Sequence, residues 1–180
     1  MHILFTRPFD DCYELILRFK SLGHMVSHIP VISIQKIIYE SLDFSLFKGI
    51  IFTSTNAIKF LDTQKIDKKI KCFCVGNATE KVAKMRGFQN IYVASGNVEN
   101  LKEIILQNFR ASDGNLIYVT GQIISSDLDK KLVSEGYNLK RIINYKAIDQ
   151  QKFNINEIEK LKDKMPDIVY VYSQNSALSF

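Results

Sequence analysis

Residues 49–61, GIIFTSTNAIKFL, pass from an apolar run, Gly49–Phe52, through Thr53-Ser54-Thr55-Asn56 into Ala57, Ile58, Phe60 and Leu61. A short β-branched and aromatic run, small polar residues and then apolar positions at helical spacing read as strand, loop and helix. The strand is apolar throughout instead of alternating. That marks a strand covered on both faces, as in parallel sheets.

The same unit recurs along the chain. His2–Phe5 is a strand, followed by a helix with Cys12, Leu15, Ile16, Phe19 and Leu22 on one face and Gly23 as its stop. Asp10 and Asp11 lie in its first turn, where they favour the positive end of the helix dipole. Met25–His28 is the next strand. Lys71–Val75 leads to a helix with Ala78, Val82 and Met85 that stops at Gly87. Ile91–Val93 leads to one with Val98, Leu101, Ile104, Ile105 and Phe109. Leu116–Val119 leads to one with Leu128, Leu132 and Val133 that ends at Gly136, and Ile168–Tyr172 is the last strand. Such alternation predicts an α/β fold of parallel sheets flanked by helices.

Two stretches, Ile29–Ile34 and Arg141–Ile148, are extended without a prompt helix behind them. Each fits a chain crossing between two lobes. The expected division is residues 1–30 plus 148–180 in the first lobe, 37–141 in the second, and 31–36 with 142–147 as linker strands.

The chain has 180 residues, 46% of them hydrophobic, enough for one compact domain or two small ones. Its 24 Lys plus Arg exceed 19 Asp plus Glu, a net charge of +5 that favours anionic partners. Three cysteines without a CxxC pair argue against a disulfide scaffold or zinc ribbon. No apolar run approaches the roughly 20 residues that span a bilayer, and no signal peptide is visible at the N-terminus. A cytoplasmic protein without membrane attachment is expected. GxGxxG, GxxxxGK[ST] and GxSxG are all absent, so dinucleotide, phosphate-loop and Ser–His hydrolase chemistry lack their signatures. His24 and His28 stand four apart, but in an extended stretch with no third ligand nearby, so no metal is expected. The basic run Lys65–Lys71 reads as a solvated face, and nucleic-acid binding is not expected.

In open parallel sheets ligands bind beyond the carboxyl ends of the strands. Those ends carry Thr6-Arg7, Thr53–Asn56, Gly76–Thr79, Ser95-Gly96-Asn97, Thr120-Gly121 and Ser173–Asn175. Taken singly, each reads as an ordinary helix cap. Gathered in one cleft, they would make an anion site from backbone N–H groups and helix dipoles. Tyr145, in the second crossing strand, could donate a proton into such a cleft or simply pack.

ILFTRP with GHMVSHIPVISI, then FKGIIFTSTNAIKFL, FCVGNATEKVAKMRGF, LIYVTG and INYKAI resemble, in this order and spacing, the uroporphyrinogen-III synthase family. The likeness runs over essentially the whole chain. It implies two α/β lobes joined by a two-stranded ladder, and an enzyme without metal or organic cofactor. The implied substrate is hydroxymethylbilane, a linear tetrapyrrole with eight carboxylates. The product is uroporphyrinogen III, whose last pyrrole is inverted through a spiro intermediate. By the same matching Tyr145 is the candidate to assist departure of the substrate hydroxyl. Thr6, Arg7, Thr53, Ser54, Asn77, Thr79, Thr120, Gly121 and Ser173 would bind substrate, Arg7 by its bidentate fork. A monomer is expected.

The chain departs from the family pattern at Thr120-Gly121-Gln122, where many relatives carry an Arg and a further Gly. Family members also continue by about a strand–helix–strand–helix beyond the point matching Ser173. The first lobe is therefore expected to be incomplete, with exposed apolar surface and poor stability on its own. Another reading remains open, a non-catalytic two-lobed module that binds a small polyanion at the same helix ends.

Overall fold

A computed structural model describes residues 1–150, 153, 155–171 and 177. The chain forms two compact units, Met1–Gln35 with Ala147–Phe180, and Lys36–Lys146. Strands β3 (Ile32–Lys36) and β8 (Leu139–Asp149) both cross the boundary, and they are paired. Hydrogen bonds from Ile37 N–H to the Asn144 carbonyl (2.8 Å) and from Gln150 N–H to the Val31 carbonyl (2.7 Å) flank that pairing.

The first unit holds a parallel sheet in the order β2-β1-β9, from β1 (His2–Phe5), β2 (Met25–His28) and β9 (Ile168–Tyr170). Helix α1 (Phe9–Ser21) links β1 to β2, and Cys12 and Ile16 on its inner face pack with Ile3 and Phe5. Leu22, read as part of that face, follows the helix end and is 62% exposed. Helix α6 (Ile155–Asp163) was not anticipated. Its signal lay in Ile155, Ile158 and Leu161, three apart in an otherwise charged segment. Ile168, Val169 and Val171 on and after β9 are exposed.

His2 ties this unit together. Its ring is fully buried, one nitrogen 2.9 Å from the Ser27 hydroxyl and the other donating at 2.9 Å to the Lys164 carbonyl. The His2 backbone N–H donates to the Asp167 carboxylate, which holds that carboxyl below the usual range. Replacing His2 by Ala removes both ring contacts and leaves buried polar groups behind. Stability should fall by about 2–4 kcal/mol, read as a lower urea midpoint; an unchanged midpoint would show the contacts to be idle.

The second unit is built on five parallel strands in the order β8-β7-β4-β5-β6, with β4 at Phe47–Phe52, β5 at Lys71–Val75, β6 at Asn90–Ala94 and β7 at Asn115–Gly121. From β4 the chain steps outward through α2 (Thr55–Lys59) to β5 and through α3 (Gly76–Met85) to β6. It then returns through α4 (Val98–Asn108) to β7, on the other side of β4, and through α5 (Leu128–Ser134) to β8.

Right-handed crossovers place helices on opposite faces when the direction of winding reverses. The two cores follow that rule. Ile50, Phe52, Cys72, Cys74, Ile117 and Val119 pack under Ala57, Ile58 and Ala83 of α2 and α3. Ile51, Phe73, Leu116 and Tyr118 pack under Leu101, Ile105, Leu128 and Leu132 of α4 and α5. The strands are covered on both sides, which is why their sequences are apolar runs. Gly49 permits the tight β4–β7 fit, since a Cβ there would lie 2.5 Å from Leu116 Cδ2 and 3.1 Å from Phe109 Cε2.

Three helical positions read as inward-facing are not, among them Ala78 in the first turn of α3, which is exposed. Met85 at the last turn of α3 is 78% exposed and Val133 of α5 is 54% exposed. All three cysteines are free and buried. Burial, reinforced by the Asp11 charge, pushes the Cys12 thiol up to about 11.

Candidate functional site

The winding of the second unit reverses between β4 and β7. The loops leaving neighbouring strands there turn to opposite faces and leave a crevice at their carboxyl ends. A cavity of about 350 Å³ occupies this place, with Thr53, Ser54, Gly121, Tyr118, Asn97 and Tyr145 among its walls. Thr53 and Ser54 follow β4, Gly121 ends β7, and Tyr145 is contributed by β8.

Each side chain is fixed locally. Ser54 is extended and its hydroxyl accepts from Asn56 N–H at 3.2 Å, capping α2. Asn97 caps α4 by accepting from Asn100 N–H at 2.9 Å. The Thr53 hydroxyl and the Tyr118 phenol are 3.1 Å apart. Burial raises the Tyr118 pKa, outweighing the hydrogen bond with Thr53, which lowers it, so the phenol stays protonated. When Tyr118 donates, the Thr53 proton is released to point elsewhere. Tyr145 lies against bare backbone: a Cβ on Gly121 would stand 2.7 Å from its Cζ and 3.0 Å from its hydroxyl. Phe60 is also near, ring centroids 6.5 Å apart. Gln122 N–H donates to the Tyr145 carbonyl at 2.9 Å, locking β7 and β8 together at this level.

The described cavity wall carries hydroxyls, phenols, an amide and backbone groups beside the apolar Val75, Val98, Ile123 and Ile124, and no charged side chain. Neutral donors of this kind can hold carboxylates and can pass a proton from a phenol. They supply neither a carboxylate base nor an activated nucleophile. Among the described residues no group of three or more His, Cys, Asp or Glu is placed to hold a metal ion, and no helix is long and apolar enough to cross a membrane.

Of the residues expected to bind or react, Thr53, Ser54, Gly121 and Tyr145 come together in this cavity. Asn77 is exposed in the first turn of α3, outside the cavity wall. Thr79 and Thr120 are buried, and the Thr120 hydroxyl is engaged with Ile142 and Arg141. Thr6 and Arg7 belong to the first unit. Thr6 is fully buried and donates to the Tyr170 carbonyl at 3.2 Å. Arg7 Nε is 3.6 Å from the Asp11 carboxylate, one helical turn on. Ser173 lies outside the described residues. Tyr118 was missed, because in a doubly covered strand the alternation of side chains marks neither face. Asn97 belongs to the Ser95-Gly96-Asn97 strand end, expected either as a helix cap or as part of a shared cleft; it caps α4 and also lines the cavity.

The family model for uroporphyrinogen-III synthase HemD matches residues 14–180. The chain belongs to the uroporphyrinogen-III synthase family. Two solved structures share its fold. Uroporphyrinogen-III synthetase from Helicobacter pylori 26695 is 19% identical with a TM-score of 0.64, over 99% of this chain and 76% of that one. A mutant uroporphyrinogen III synthase from the extremely thermophilic bacterium Thermus thermophilus is 14% identical with a TM-score of 0.60, over 99% and 75%. No curated protein sequence matches the chain.

Proposed function

We propose that this chain cyclises hydroxymethylbilane to uroporphyrinogen III at the cavity between the ends of β4 and β7. The observation that carries the reading is the meeting of Tyr145, Thr53, Ser54 and Gly121 in one wall free of charged side chains. The substrate bears eight carboxylates, which suits the chain's net charge of +5.

Loss of the terminal hydroxyl leaves an electrophilic azafulvene, and the unaided chain closes without inversion. The task is therefore to direct attack from the substituted carbon of the last ring, through the spiro intermediate. Holding one curled conformer is orientation catalysis: within a reaction that is already intramolecular, it favours the geometry that leads to inversion. Tyr145 donates to the departing hydroxyl. The Thr53 hydroxyl, relieved by Tyr118, holds an acidic side arm.

The test is to incubate the chain with hydroxymethylbilane and separate the type I and type III products. A shift toward type III supports the reading. Type I in the proportion formed without protein overturns it and leaves a polyanion-binding module.

A further inference from the structure

Arg141 stands on β8, one strand outside β7, and its guanidinium reaches the turn that closes the cavity. Nε donates to Thr120 Oγ1 at 3.0 Å, and Nη2 donates to the carbonyls of Gly121 and Gln122, each at 3.3 Å. Nη1 lies 3.5 Å from Asp129 Oδ2 in the first turn of α5. The approach is from outside. Arg141 and Asp129 line a separate shallow depression of about 380 Å³ and neither forms part of the wall that holds Tyr145.

The turn needs such a brace. The β7–β8 register shifts between Thr120 and Gly121, so regular ladder bonding is interrupted where the cavity wall begins. A planar guanidinium offers several donors at fixed angles and can bind three acceptors at once, whereas an ammonium is a single point of charge. The Asp129 carboxylate, itself favoured at a helix N-terminus, fixes the far end of the fork.

We infer that Arg141 is a positioning residue for the proposed cyclisation, holding the 120–122 turn so that Gly121 seats the Tyr145 phenol. This rests on the functional reading above, but its structural half can be tested separately. Amide exchange by mass spectrometry on Arg141→Ala and Arg141→Lys would be read beside kcat, KM and the product isomer ratio. Peptides covering residues 120–128 should exchange at least about tenfold faster in Arg141→Ala while those of α3 keep their wild-type rate. In the same variant kcat should fall more than KM rises, and the type III fraction should drop. Arg141→Lys keeps the charge opposite Asp129 but not the fork, so it should restore only part of the protection; it also carries the test if Arg141→Ala does not fold. Wild-type exchange at 120–128 in either folded variant overturns the inference, as does full recovery by Lys. Faster exchange in a chain whose wild type makes no type III product would support the brace and overturn the functional reading alone.

Discussion

Tyr145→Phe should lower turnover of hydroxymethylbilane by roughly 100-fold, the lower end of what a positioned general acid contributes. The substitution removes one oxygen and keeps the ring, so the contacts with Gly121 and Phe60 persist. Stability should consequently move by less than about 0.5 kcal/mol, as for other changes that spare packing. Because the substrate also closes unaided to the uninverted ring, slower enzymatic closure lets that route compete, and the type I fraction should rise. Steady-state rates with separation of the isomers read both effects. An unchanged rate and ratio would remove Tyr145 from the mechanism.

Gly121→Ala acts on the same phenol from beneath. The added methyl would stand 2.7 Å from Tyr145 Cζ and 2.8 Å from Cε2, closer than carbon atoms can approach. The backbone at Gly121 is pinned to β8 through Gln122 N–H, so the freer tyrosine ring must yield. A displacement of about 1 Å at a reacting group can cost about 100-fold in rate. The decisive measurement is the double variant. If Gly121 works only by seating the phenol, Gly121→Ala in a Tyr145→Phe background should cost little more than Tyr145→Phe alone, a large departure from additivity. Strictly additive losses would mean that Gly121 contacts substrate on its own account.

The local units were legible because the same residues settle strand, cap and helix within a dozen positions, as in GIIFTSTNAIKFL. The order of strands was not. Nothing near Gly49 signals that it will pair with Leu116, and that pairing creates the crevice. Thr53, Ser54, Gly121 and Tyr145, which line one cavity, could be singled out because strand ends and a crossing strand are recognisable positions. Thr6 and Thr120 are not the exposed donors expected of them for a geometric reason: a threonine beside a strand's end looks alike in sequence whether it faces inward or outward. Both face inward and are bonded there. Arg141 gave no signal of its own, since its acceptors are main-chain atoms on another strand.

The adjacency of β4 and β7 also bears on how the molecule is made. As the chain leaves the ribosome, β4, β5 and β6 with α2 and α3 can assemble while the flank of β4 that will receive β7 is still bare. Apolar Ile50, Ile51 and Phe52 would line that open margin until β7 emerges and docks. Nascent chains ending within α4 are thus the lengths most exposed to wrong pairing with a neighbour and most in need of a holding chaperone.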